Sequence, residues 1–434
     1  MSAPLPKHRT AYVNARLLDP ASGLDAPGAL LVENGRIADL GPQLFNEGVP
    51  EGVQRVDCGG ACLAPGLVDL RVQLREPGEE HKETMDSAGR AAAAGGVTSM
   101  VALPNTDPVV DDVAGVEFVA RRAREVKGVK IYTYAAVTRN LEGRELTEMG
   151  LLAENGAVAF TDGLKAVENA QVMRRALAYA KTFGLLVVQH PEEPSLAGGA
   201  MNGGELATRL GLPGIPKLAE VMMIERDLRL VEMTGGRYHV AHVSTAESVE
   251  AIRRAKARGL DVTCDTAPHY FALNEIAVGD YRTFAKVSPP LRSEDDRQAI
   301  LEAVADGTID AIASDHSPHD VESKRLPFAI AEPGIVGLET LLPLSLQLVH
   351  AGKAGLLDLL ARLTHRPAEI LGLNAGRLSK GAPADLLVFH PERAWKIDPD
   401  RFASKSKNSP FEGLPVQGRV QRTVVDGRAL FEAA

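Results

Sequence analysis

Cysteines, basic runs and long apolar runs are nearly missing from this chain, and each absence excludes something. Only three of the 434 residues are cysteine, Cys58, Cys62 and Cys264. The number is odd and no CxxC pair occurs, so neither a disulfide scaffold nor a cysteine zinc site is predicted, and a reducing compartment fits best. The formal net charge is −9 with no basic run, which argues against nucleic-acid binding. No apolar stretch approaches the ~20 residues that cross a bilayer, and the first residues, MSAPLPKHRTAYV, have no apolar signal core. Internal repeats and low-complexity segments are also missing. These absences predict a cytoplasmic protein that meets neither membrane nor nucleic acid.

What is there is an ordinary globular composition, 45% hydrophobic and 24% charged, on a chain long enough for a barrel of about 250 residues plus an appendage. Both ends read as short strands broken by Gly, Asn and Asp turns: TAYVNARLLD, ALLVENGRIADLG and VQRVDCGGACLA at one, PADLLVFHP and GRVQRTVVDGRALFE at the other. The middle alternates. Strand-like runs (GLVDLRV, VTSMVALP, IYTYAAV, AVAFTD, LLVVQHP, YHVAHVS, DVTCDTAP, AIASDHSP) are separated by amphipathic helical stretches such as SVEAIRRAKARG. This pattern predicts an α/β chain: a (β/α)8 TIM-like barrel over residues 64–375, and a small β-sandwich domain built from residues 1–63 and 376–434. The chain carries Asp162, His190, His242, His269 and Asp315 at the C-terminal ends of successive predicted strands, the face where barrel active sites lie. Imidazoles and carboxylates on separate strand ends suit metal-assisted hydrolysis, in which an ion lowers the pKa of bound water to about 7. Taken singly, each histidine also has a plainer role as a hydrogen-bonded polar residue.

The segment APGLVDLRVQLREPG resembles the dihydroorotase signature PGxxDxHxHxREPG. VALPNTDP, FTDG, HPEEPSLAGGAMNGG, LGLPGIPKLAE, HVSTAESV, TAPHYF, KVSPPLR, ASDHSPH, IAEPGIVGLET, GRLSKGAPADLLVF and SKSKNSPFEG follow in that family's order, so the resemblance spans nearly the whole chain. It implies an amidohydrolase barrel that interconverts N-carbamoyl-L-aspartate and L-dihydroorotate in pyrimidine biosynthesis. It makes Asp162, His190, His242 and Asp315 metal ligands, with Asp315 also the catalytic acid/base. Arg75, Asn105 and His319 become the groups on the substrate carboxylate, where an Arg fork and an Asn amide suit that anion. Each also has a plainer reading: Arg75 as a salt bridge at the barrel mouth, Asn105 as a turn former before Pro108, His319 as an exposed loop residue.

The departures from the family pattern are specific. Arg71 and Gln73 stand where the family has its HxH pair of metal ligands. Arginine has no lone pair to give and stays charged, and an amide oxygen is a poor zinc ligand beside imidazole. A guanidinium there is expected to replace part of the missing positive charge and to pair with Asp315 or Asp162. Ser288 stands where the family usually shows Asn. Hydantoinases, relatives that place a carboxylated lysine at the strand end reading Phe160-Thr161-Asp162 here, resemble the chain less well, and Lys165 is three residues too late for that role. These departures predict at most one zinc ion and a hydrolase that is impaired or non-catalytic. One alternative is a dihydroorotase-like subunit supporting aspartate transcarbamoylase, and another is a fully active single-zinc enzyme. The expected partners are dihydroorotate or carbamoyl aspartate, a second copy in a homodimer and, in the subunit reading, the transcarbamoylase. Residues 316–330 are expected to form a mobile loop, with His319 swinging inward on ligand.

Overall fold

The computed structural model describes residues 9–433. Its centre is a sheet of eight parallel strands, labelled in chain order: β1 (Leu67–Val72), β2 (Val97–Ala102), β3 (Lys130–Ala135), β4 (Ala157–Phe160), β5 (Leu186–Gln189), β6 (Arg237–Val240), β7 (Val262–Thr266) and β8 (Ala311–Ile312). Each strand pairs with the next. The ring closes where Val72, at the end of β1, bridges His316 just beyond β8. Both faces of these strands are covered, which explains why they read as apolar runs rather than alternating ones. No helix among the described residues is long and apolar enough to cross a membrane.

Strands from both ends of the chain form a second, mostly antiparallel sheet. Its order is Arg428–Glu432, Pro415–Val425, Leu386–Lys396, Cys62–Pro65, Arg9–Asp19, Leu24–Glu33 and Arg36–Gly41, with Gln54–Asp57 also paired to Arg9–Asp19. The sheet docks on the side of the barrel away from the mouth. There Lys130, at the start of β3, bonds Asp385 at 2.8 Å and Asp426 at 2.9 Å. Cys58, Cys62 and Cys264 are buried free thiols.

After β1 the chain runs over the mouth and enters the helix Met85–Ala94, started by a capping box in which Thr84 and Ser87 satisfy each other's backbone N–H. Two glycines of this segment make contrasting demands. Gly95, the C-cap, has φ −83°, which any residue accepts, but a Cβ there would collide with the Leu338 carbonyl oxygen. Gly89, inside the helix, has open space where its Cβ would be. Gly95→Ala should therefore lower stability by about 1–3 kcal/mol through forced backbone movement. Gly89→Ala should raise it by about 0.5–1 kcal/mol through helix propensity. Urea unfolding of the two variants checks the pair, and equal effects would contradict this packing.

Candidate active site at the barrel mouth

Strand alternation sends Asp69, Arg71 and Gln73 to one face of β1, toward the mouth. Arg71 is fixed there. Its Nε donates to Asp315 Oδ1 at 2.8 Å, with the two side chains only 3% and 11% exposed, and Nη2 reaches the Gly163 carbonyl at 3.4 Å. Of the two partners expected for the guanidinium, Asp315 is the one it meets. Gln73 donates to Ser317 Oγ at 2.6 Å and accepts from Asn105 Nδ2 at 3.3 Å. The backbone is drawn into the same seam, since Gln73 N–H bonds His316 O and Ser314 N–H bonds Asp69 Oδ1.

The expected metal ligands separate into three groups. His190 and His242 stack with ring centroids 4.9 Å apart, and His190 Nδ1 lies 3.1 Å from His242 Nε2. Asp315 pairs with Arg71, its other oxygen 3.8 Å from His269 Nε2. Asp162 accepts from the backbone N–H of Thr138 at 2.9 Å and from the Thr138 hydroxyl. Burial pushes the Asp162 carboxyl up to about 6, against these hydrogen bonds. Burial, followed by the positive charge of Arg71, holds His242 well below the usual imidazole value, and burial brings His269 down to about 4. A zinc ion is held by three or four N, O or S donors about 2.0–2.3 Å away. Two imidazole nitrogens face each other here, but Arg71 offers no lone pair and occupies Asp315. Among the described residues, no three or more His, Cys, Asp or Glu side chains are grouped to hold an ion. The arrangement therefore does not fit the metal centre that the resemblance implies.

The expected carboxylate-binding set is also engaged internally. Arg75 bonds Pro318 O at 3.1 Å, Glu79 at 2.8 Å and His319 Nε2 at 3.1 Å, so the plainer reading of Arg75 as a mouth salt bridge describes this conformation. Its backbone is left-handed, at φ 60°. His319 is buried beside Arg75 and the Pro333 carbonyl, so the plainer reading of it as an exposed loop residue does not hold. The reason is Asn408, whose side chain accepts the His319 N–H and donates to the carbonyls of Ser317 and Gly334. Burial, then the Arg75 charge, depress His319 to about 2. A cavity of about 730 Å3 adjoins the histidine pair, lined by His190, Glu192, Lys165, Lys286 and Ser288 among others, but not by Arg75, Asn105 or His319.

Sequence reasoning passed over several groups that set this geometry. Glu192 lies 3.3 Å from His190 Nε2 and accepts from Ser288 Oγ at 2.7 Å. Burial alone would raise its carboxyl, but His190 and Arg292 outweigh it and hold the carboxyl below the ordinary range. Asp265 accepts the His242 backbone N–H at 2.7 Å and lies 2.9 Å from His239 Nε2, bracing His242 at φ 39°. Glu192 was visible only as one acid of HPEEP, and Asp265 as a residue inside a strand-like run.

The buried ion pair gives a direct test. Arg71→Met leaves Asp315 buried without its cation, which typically costs about 3–5 kcal/mol. Arg71→Met with Asp315→Leu should recover most of that loss, because no charge is then stranded. Chemical denaturation of both variants checks this, and a single variant as stable as the parent would show that the pair does not hold the mouth.

The Dihydro-orotase-like family matches residues 60–248. A protein of Anaplasma phagocytophilum named Dihydroorotase is 48% identical, covering 98% of this chain and 96% of its own. One of Syntrophotalea carbinolica with the same name is 46% identical, covering 96% and 98%. Among solved structures, the L-hydantoinase (dihydropyrimidinase) of Arthrobacter aurescens superposes with a TM-score of 0.87 at 27% identity, covering 98% of this chain and 96% of that one. The dihydropyrimidinase of Brevibacillus agri reaches 0.85 at 22% identity, over 98% and 95% of the two chains, and shares the fold. With identity near one half sustained over almost the full length, the chain belongs to the dihydroorotase family.

Proposed function

We propose that this chain is a dihydroorotase-family protein of pyrimidine biosynthesis, of the class that hydrolyses cyclic amides, in which hydrolysis is impaired or lost. We further propose that it serves as a subunit supporting aspartate transcarbamoylase. The observation that carries the reading is the Arg71–Asp315 pair at 2.8 Å. Opening a cyclic amide requires a base that takes a proton from water and returns it to the leaving nitrogen. Asp315 is the residue the family likeness puts in that role, and one of its two oxygens already accepts the Arg71 N–H. Zinc, the cofactor the family likeness implies, lacks its first two ligand side chains, since Arg71 and Gln73 are bonded to Asp315 and Ser317. The intact barrel around this centre supports a retained structural task.

A second reading, residual hydrolase activity, draws on the surviving His190–His242 pair and on Asp315 with His269 beside it. Either reading leaves dihydroorotate and carbamoyl aspartate as the small molecules to test, in a homodimer.

Three experiments separate the readings. Pure parent protein should hydrolyse dihydroorotate negligibly, and added zinc or a chelator should change neither rate nor melting temperature. Arg71→His with Gln73→His should gain zinc content and a zinc-dependent rise in melting temperature, and Arg71→His alone should gain less. Mixed with the transcarbamoylase encoded by the same genome, the parent should co-elute with it and raise its activity. Vigorous parental hydrolysis that neither the double substitution nor chelators alter would defeat the impaired reading. Absence of any complex would defeat the subunit reading alone.

A further inference from the structure

The structure has a second cavity of about 720 Å3, close in size to the one at the mouth. It lies between the terminal sheet and the outside of the barrel, walled by the helices Met85–Ala94 and Leu341–His350 and by the ribbon of Leu386–Lys396 and Pro415–Val425. The ribbon shifts register between His390 and Ala394, then pairs again at Trp395 with Val416 and at Lys396 with Pro415. Trp395 is the only tryptophan in the chain. Its indole N–H is satisfied by the Gly418 carbonyl at 2.9 Å, so what it offers a ligand is apolar ring surface. Phe402 and Phe431 add more.

The charged lining consists of four cationic side chains and three carboxyls, in a chain with formal net charge −9. Lys396 and Arg419 are exposed and line the cavity; among the described residues neither forms an ion pair. Arg90 and Arg401 also line it, paired with Asp86 and Asp398 respectively. Besides Asp398, the carboxyls in the lining are Glu412 and Glu339. Burial pushes Glu339 up to about 7, so near neutrality it carries part of a proton and can donate a hydrogen bond. Ring surface beside uncommitted cations, at a seam between two structural layers, is the chemistry of a site for a flat anion.

We propose that this seam cavity binds a small aromatic anion, its ring against Trp395 and Phe402 and its acidic group on Lys396 and Arg419. None of these residues belongs to the barrel mouth, so the inference stands apart from the proposed function. The full chain is titrated with 8-anilinonaphthalene-1-sulfonate while Trp395 emission is followed. Saturable binding of one dye per chain that quenches Trp395 is expected, because the sole tryptophan localises the event. N-phenyl-1-naphthylamine, which lacks the sulfonate, should bind the parent at least about fivefold more weakly than the sulfonate does. Lys396→Glu with Arg419→Glu should weaken the sulfonate by a similar factor and leave the neutral dye unchanged. Should that variant unfold, Arg419→Gln must still weaken the sulfonate. Dye binding that leaves Trp395 emission unchanged, or equal affinity for the sulfonate in the charge variants, overturns the proposal.

Discussion

A buried ion pair spans the seam where the barrel closes. Arg71 sits on the first strand and Asp315 just past the last, so their contact joins the two ends of the sheet. The same seam holds the Val72–His316 bridge, the Gln73–Ser317 hydrogen bond and the Asp69 carboxylate on Ser314 N–H. A buried pair of this kind gains little over a well-packed apolar pair, but stranding one charge is expensive. Its effect is therefore mainly on geometry. It prescribes where the loop after β8 begins, and with it the positions of Ser317 and His319.

Three non-glycine residues around the mouth, Arg75, His242 and Asp315, have left-handed backbones. Such conformations cost on the order of 1–3 kcal/mol each and persist only where the surroundings hold them. The holders can be named. Asp265 takes the His242 N–H, Pro318 O takes the Arg75 Nε–H, and Arg71 grips the Asp315 carboxylate. The segment after Leu386–Lys396 completes the frame. Ser404 bonds Glu83, which faces His316 at 3.4 Å, and Asn408 ties the loop after β8 to the Gly334 carbonyl. A piece of chain leading back into the terminal sheet is thus part of the wall of the mouth, so the two layers do not act independently.

This explains what was legible in the sequence. The barrel strands announced themselves as apolar runs because both faces of each are buried, and the strand-end position of His190, His242, His269 and Asp315 follows from strand boundaries alone. The partner of Arg71 could be narrowed to two carboxylates, since charge chemistry limits the choice, but only the fold decides between Asp315 and Asp162. Glu192, Asp265 and Asn408 were not legible as site residues. Asp265 and Asn408 act across the fold, Asn408 on His319 some ninety positions earlier, and Glu192, beside His190, is tied in by Ser288 and Arg292 far along the chain; no local spacing encodes those contacts. The plainer reading of His319 as an exposed loop residue fails for the same reason: the Asn408 anchor that buries it lies elsewhere in the chain.

The charge inventory of the mouth follows from these contacts. Arg71 contributes one fixed positive charge, balanced by Asp315. Burial keeps His242 and His269 neutral near pH 7, and His319 likewise. Asp162 is pushed up to about 6 and relies on Thr138 for its stabilisation. Glu192 adds a negative charge facing His190 and Arg292. A centre built for divalent ions needs surplus negative charge and free lone pairs converging on one point. Here the guanidinium cancels the carboxylate that would supply both, and it cannot release a proton to make room. An arginine at position 71 adds a permanent positive charge that engages the Asp315 carboxylate and disfavours a cation beside it. Gln73 is neutral and bonds Ser317 rather than Asp315, so of the two neighbouring side chains it is Arg71 that engages the carboxylate.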